Sequence, residues 1–281
     1  MVATNRIEVK KTYKLFINGA FPRSESGRVF EVHSKKGEFI ANPCLASRKD
    51  LRDSVTAARA AQHGWAKATA YNRGQILYRI AEMLEGRAEQ CAAEISATTA
   101  ITPLKAQSMV SEAIDRWVWY AGWSDKLSAV TGATNPVAGP YYNFTIPEPL
   151  GVVVVTASDS FIDFIDAIAA AVVSGNSVIA LVDGGLSVPA MTFAEVLATS
   201  DLPAGVINIL TGSLDELAPW AASHMDVDGF DISAIGKKKR AELKVAGAEN
   251  LKRIYFADGK LTPSRILAFM EQKTVWHTIG V

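Results

Sequence analysis

Side chains able to act as nucleophiles, acids, bases or metal ligands are few in this sequence, and they are scattered. The two cysteines, Cys44 and Cys91, have no paired spacing that would suggest a disulfide framework or a metal site. A catalytic cysteine needs surroundings that favour the thiolate, and nothing around either marks such a place, so both read as structural. His33, His63, His224 and His277 lack partners at recognisable spacing. Asp159, Asp183 and Asp258 are the carboxylates on which acid–base chemistry would have to rest. Asp183-Gly184-Gly185 lies between a strand and a helix and offers a phosphate cradle or a plain turn, of which the turn is the simpler reading. Lys237-Lys238-Lys239-Arg240, with Glu242 nearby, reads as a solvated helix face.

The elements that must position these residues are easier to read. Glu148-Pro149-Leu150-Gly151 leads into Val152-Val153-Val154-Val155-Thr156, a continuous apolar run expected of a strand buried on both faces of a parallel sheet. Leu202-Pro203-Ala204-Gly205 leads into Val206-Ile207-Asn208-Ile209-Leu210 by the same design. From Gly151 onward, strands over 152–156, 177–181, 206–210, 229–233 and 252–256 alternate with helices around 160–173, 188–199, 213–223 and 236–246. That alternation predicts an α/β fold with a doubly wound parallel sheet. Upstream, Asn18-Gly19 between Tyr13–Ile17 and Ala20-Phe21 predicts a β-hairpin, and 30–32 with 38–41 two short strands. Ser47 and Asn72 are expected to cap helices, and Thr102-Pro103 to open a longer one carrying Ile114, Trp117, Val118 and Trp123. Between 131 and 147 glycines and prolines break the helical pattern before Tyr141–Ile146, which has strand composition.

The 281 residues, 49% hydrophobic and 21% charged, suit one large globular domain or two smaller ones. Lys plus Arg and Asp plus Glu each total 29, which argues against a nucleic-acid or membrane surface. Ala167–Val173, the longest apolar run, is too short to span a bilayer. Met1–Lys11 has no apolar core of a signal peptide, and cysteine usage fits a reducing compartment, so a cytoplasmic protein is expected.

The strand entries at 148–156 and 202–212, the Asn18-Gly19 hairpin, Tyr120–Lys126 and Lys273-Thr274-Val275-Trp276 together resemble the aldehyde dehydrogenase superfamily. The resemblance covers most of the chain and implies a Rossmann-type cofactor domain over 1–130 and 148–272. It implies an oligomerisation β-ribbon over 131–147 and 273–281. The family's functional positions are where the sequence departs. Where the family has Pro-Trp-Asn-Phe-Pro, with the oxyanion-hole Asn, this chain has Thr156-Ala157-Ser158-Asp159-Ser160-Phe161. Leu181 stands at the position of the lysine that binds the adenosine ribose. Phe230-Asp231-Ile232-Ser233-Ala234-Ile235-Gly236-Lys237 replaces the Phe-Thr-Gly-Ser turn facing the pyrophosphate, and Asp231 there would oppose an anion. Tyr255-Phe256-Ala257-Asp258-Gly259-Lys260 replaces Glu-Leu-Gly-Gly-Lys, removing the general base. The domain bearing the nucleophilic cysteine is missing between Lys260 and Lys273, where a short helix over 264–272 is expected instead.

The chain is therefore similar to the truncated second half of the two-part, family-sixteen aldehyde dehydrogenases. That resemblance implies a pseudo-enzyme with no catalytic, cofactor-binding or metal-binding residues of its own. Its expected partner is a full-length aldehyde dehydrogenase holding the NAD(P), joined through 131–147 and 273–281. The alternative expectation is a nucleotide-binding sensor using the altered loops 156–161 and 181–185.

Overall fold

The computed structural model describes residues 9–280; Met1–Glu8, part of the polar N-terminal stretch, and Val281, the last residue of the expected ribbon, lie outside it. A short antiparallel pair, β1 (Val32–His33) and β2 (Phe39–Ala41), precedes five helices. These are α1 (Arg48–Lys67), α2 (Ala70–Glu85), α3 (Ala88–Thr98), α4 (Pro103–Trp123) and α5 (Leu127–Thr131). Strands β3 (Ala133–Asn135) and β4 (Tyr141–Pro149) follow. The alternating part then runs β5 (Val152–Ala157), α6 (Phe161–Val172), β6 (Ser177–Val182), α7 (Ser187–Leu197), β7 (Ile207–Thr211) and α8 (Leu214–Ser223). It continues through β8 (Gly229–Asp231), α9 (Lys237–Ala248) and β9 (Arg253–Tyr255), and the chain goes on to α10 (Pro263–Leu267) and β10 (Met270–Thr278).

The main sheet is parallel, in the order β7-β6-β5-β8-β9, with Val153 opposite both Val178 and Gly229. Every residue of β5, β6 and β7 is buried. The valine run is explained by that burial, because alternate side chains feed two separate cores. Val153, Val155, Val178 and Ile209 pack toward α2, α3, α4, α6 and α7. Val152, Val154, Ile179 and Leu210 pack toward α1, α8 and α9. The hairpin forms around Asn18 and Gly19, whose φ angles of 52° and 72° are those its tight turn requires. Phe16 of that hairpin exchanges two backbone hydrogen bonds with Ile209, covering the outer side of β7.

A second sheet, β10-β4-β3, is antiparallel and distinct from the first. Met270 pairs with Pro149 at its base and Thr278 with Tyr141 at its tip, so the expected strands at 141–146 and 273–279 each extend further toward the body. Thr131, placed in this segment by the sequence, instead closes α5.

β8 and β9, expected over 229–233 and 252–256, are shorter, at three residues each, and two helix ends also differ from the sequence reading. Thr69, not Asn72, caps α2: the Asn72 amide donates to the Thr69 hydroxyl at 3.2 Å. The final helix stops at Leu267 rather than Gln272, because Phe269 and Met270 are buried as the chain turns to pair with β4.

A crevice at the carboxyl ends of the central strands

The sheet order reverses its direction of growth between β5 and β8, and in such sheets ligands sit outside the carboxyl ends of the strands at that point. A crevice of about 240 Å³ is found there, lined by Ser158, Asp159, Ser160, Asp163, Ser233 and Arg265 among others. A groove of about 460 Å³ beside Lys10, Lys11 and Phe39, and two larger ones, lie elsewhere. One, about 900 Å³, runs along α2 and α4 past Tyr71 and Tyr78. The other, about 520 Å³, lies where the Arg48 guanidinium stacks on Trp220.

The loop after β5 is bonded to itself and to β8. The Thr156 hydroxyl donates to the Asp231 carbonyl at 2.9 Å and accepts from the Ala234 amide at 3.2 Å. The Ser158 hydroxyl donates to Asp159 Oδ2 at 2.8 Å, so its proton is committed and is not aimed as an oxyanion donor. Ser160 caps α6 by accepting from the Asp163 amide. Asp159 and Asp163 are exposed at the mouth.

Asp183 confirms the turn reading of 183–185. Its two oxygens accept from the Gly184 amide at 2.7 Å and the Leu214 amide at 3.2 Å, so the start of α8 already holds a carboxylate. Leu181 is fully buried in the core beneath. Asp258, by contrast, is exposed, accepting from the Lys260 amide at 3.1 Å. The three candidate carboxylates 159, 183 and 258 are thus held by three separate sets of local bonds.

Asp231 corrects the sequence reading. It does not confront the crevice as a free negative charge: it is 0% exposed and accepts from the Ser233 amide at 2.9 Å and from the Ser233 hydroxyl. Its other oxygen accepts from Arg265 Nη2 at 3.1 Å. Arg265, itself 4% exposed, also lies 3.9 Å from Asp166, which is paired with Arg116. Two arginines and two aspartates from α4, α6, β8 and α10 therefore form one largely buried network, to which Glu112 of α4 adds an exposed carboxylate 2.6 Å from Arg116. Burial raises the Asp166 carboxyl above its ordinary range, with Arg116 and Arg265 opposing. The Tyr120 phenol is held far above normal by burial, with Asp166 adding to it. Three atoms around this network have no hydrogen-bond partner: Arg265 Nε, Asp166 Oδ1 and Tyr120 Oη. Sequence reasoning missed Arg265, Asp166 and Arg116, since each sits in an ordinary helical pattern and only the fold brings them together.

The basic run is not wholly a solvated face. Lys239 bridges to Asp215 of α8 at 2.7 Å, and the Arg240 guanidinium covers the Phe256 ring at 4.0 Å; Lys237 and Lys238 are exposed. Both cysteines are buried and free, and burial, followed by Glu94, pushes the Cys91 thiol up to about 12. His224 is held below its ordinary value by burial, its Nδ1 accepting from the Asp226 amide. Among the described residues no group of three or more His, Cys, Asp or Glu could hold a metal ion, and no helix is long and apolar enough to cross a membrane.

A model of the aldehyde dehydrogenase family matches residues 21–271. The chain belongs to the aldehyde dehydrogenase family. Retinal dehydrogenase 2 of Gallus gallus is 31% identical over 272 residues, which make up 94% of this chain and 52% of that protein. Cytosolic 10-formyltetrahydrofolate dehydrogenase of Xenopus tropicalis is 32% identical over 277 residues, 90% of this chain and 30% of that one. Among solved structures, the NAD+ complex of aldehyde dehydrogenase from Bacillus cereus superposes with a TM-score of 0.80 at 25% identity, covering 87% of this chain and 50% of that chain. This aldehyde dehydrogenase family chain thus spans about half the length of the retinal dehydrogenases it matches, and its parallel sheet is that of the family's cofactor domain.

Proposed function

We propose that this protein is a non-catalytic subunit of an aldehyde dehydrogenase assembly, stabilising or regulating a full-length, NAD(P)-dependent partner that holds the cofactor. The observation that carries this reading is the second sheet. Tyr141, Tyr142, Ile146, Trp276 and Ile279 are exposed on or beside it, with Trp276 59% accessible. Among the described residues the outer side of β10 pairs with nothing along its nine residues. Such an edge favours strand addition, in which backbone hydrogen bonds give affinity and side chains give selectivity. The crevice adds support: the Ser158 proton is committed, Leu181 and both cysteines are buried, and Asp258 is exposed with its local bonds to Lys260.

The test is affinity purification from the native cell followed by native mass. A stoichiometric complex with a full-length aldehyde dehydrogenase is the expected result, and it should be weakened by Trp276→Lys without loss of folding. Recovery as a soluble monomer would remove the basis of the proposal. Steady cofactor reduction with aldehydes by the purified chain alone would overturn its non-catalytic part. The second reading, a nucleotide sensor, draws on the position of the crevice. Its volume of about 240 Å³ is below the roughly 300–1,000 Å³ of sites for drug-sized ligands, which disfavours a dinucleotide.

A further inference from the structure

The groove of about 520 Å³ where Glu25, α1, α8 and His224 meet holds a cation that is fixed in place and left without a partner. The Arg48 guanidinium lies over the Trp220 ring, 3.9 Å from its centroid, and both residues line the groove. A guanidinium stacked in this way spends its flat side on the ring. Its in-plane N–H groups, the fork that matches a carboxylate, stay free. Among the described residues Arg48 makes neither an ion pair nor a side-chain hydrogen bond. The stack also settles the orientation of a long side chain beforehand, so less freedom is lost when a ligand arrives. Trp220 itself still exposes 40% of its surface.

The charges around the groove select the ligand class. The cations lining it are Arg48, Lys49 and Arg52, and the carboxylate lining it is Glu25. Lys49 Nζ donates to Glu25 at 3.3 Å, and Arg52 reaches Asp53 beside it at 3.1 Å. Carboxylates outside the lining are engaged elsewhere: Asp50 by Ser24 and the Ser47 amide, Asp226 by Arg59, and Glu216 by Arg28. His224 is kept neutral by burial, its Nδ1 accepting from the Asp226 amide, and adds no charge. One uncompensated positive charge therefore lines the groove, and it calls for one negative charge. A dianionic phosphate would need a second free cation. A small inorganic anion would leave the open indole surface uncovered, and a neutral ring would leave the guanidinium fork unused. The volume falls within the roughly 300–1,000 Å³ of small-molecule sites. We propose that this groove binds a small aromatic carboxylate, its carboxylate received by the in-plane edge of Arg48 and its ring laid against the open surface of Trp220.

Benzoate, phenyl phosphate, benzyl alcohol and acetate separate the possibilities when each is titrated at neutral pH against the full chain by saturation-transfer NMR. Benzoate is expected to bind at least about ten-fold more tightly than acetate or benzyl alcohol, and no less tightly than phenyl phosphate. Arg48→Met, which keeps an apolar stem, and Trp220→Leu should each weaken benzoate by about ten-fold or more, with thermal unfolding checking that both variants fold. Arg48→Lys should weaken it too, because a point charge lacks the planar fork. Lys239→Met, which removes a cation of α9 that does not line the groove, should leave it unaltered. Equal binding of acetate and benzoate would reduce the groove to a charged patch, and tighter binding of phenyl phosphate would overturn the charge count. Full benzoate binding by Arg48→Met would remove Arg48 from the site. Absence of saturable benzoate binding up to about 10 mM would overturn the proposal outright. No ribbon residue lines the groove, so none of these results bears on assembly with a full-length dehydrogenase.

Discussion

At Arg265 the cost of breaking a network exceeds the benefit of having built it. Asp231 and Asp166 are buried against this guanidinium, so truncating one partner leaves an uncompensated charge in the interior. Arg265→Met is expected to destabilise the fold by about 3–5 kcal/mol in urea unfolding. Asp231→Asn added to it should restore part of that loss, and full additivity of the two changes would show that the pair does not interact. Lys252 gives a pH signature. Burial pushes its ammonium down to about 8 from 10.5, while Nζ donates to the carbonyls of His224, at 2.9 Å, and Val227. Between those two values the unfolded chain binds more protons than the folded one, so stability rises with pH in that window. The burial of Cys91 acts the other way above pH 9, so the quantity to measure is wild type minus Lys252→Met. That difference should move in favour of wild type as pH climbs from about 8 to 10.5, and a flat difference would contradict it. None of this was legible in the sequence. Losses could be read, because Leu181 and the 156–161 loop differ from a known pattern, but a charge network whose partners come from four elements leaves no local spacing to read.

Individual elements were far more legible. Strands buried on both faces must be apolar throughout, so Val152–Val155 declared itself, and helix starts follow hydroxyl caps, so Ser47 was readable, while the reciprocal bond from Asp50 that completes a capping box came from the structure. Replacing Ser47 by Ala should cost about 1 kcal/mol, checked by thermal unfolding. Ends were less legible where tertiary demands decide them. Asn72 and Thr69 are both plausible caps, and only the turn between α1 and α2 selects Thr69. The close of α10 depends on where Phe269 and Met270 must go, not on propensity. Gly205 belongs to the same class. With φ of +83°, and with a Cβ due 2.7 Å from the Ala57 carbonyl of α1, it has no room for a side chain. Gly205→Ala is expected to cost at least about 2 kcal/mol, combining the φ penalty with displacement of α1. Unfolding indistinguishable from wild type would show that α1 yields more readily than its packing suggests.

For the molecule as a whole, topology was the most readable property, since βαβ alternation leaves few arrangements of a parallel sheet, and the observed order is one of them. The projecting sheet was readable as strand composition at 141–146 and as a family-like C-terminal pattern, but its pairing was not, because its two long strands are far apart in the chain. The ion pair between Lys273 and Glu148 spans 125 positions. That separation has a consequence for how the protein is made. During synthesis β4 emerges before the whole parallel sheet has been translated, and it cannot gain its long partner until Met270–Thr278 leaves the ribosome. The sheet can close around its own core in the meantime, while Tyr141–Pro149 waits with one long edge open. Loop-closure entropy makes this the slow contact of the fold. Pulse-labelled hydrogen exchange during refolding should accordingly protect β5 and β6 before β4. Protein that fails to fold should be captured with the 141–149 segment exposed, which makes the nascent chain, rather than the finished one, the form most in need of a chaperone or of a partner already waiting.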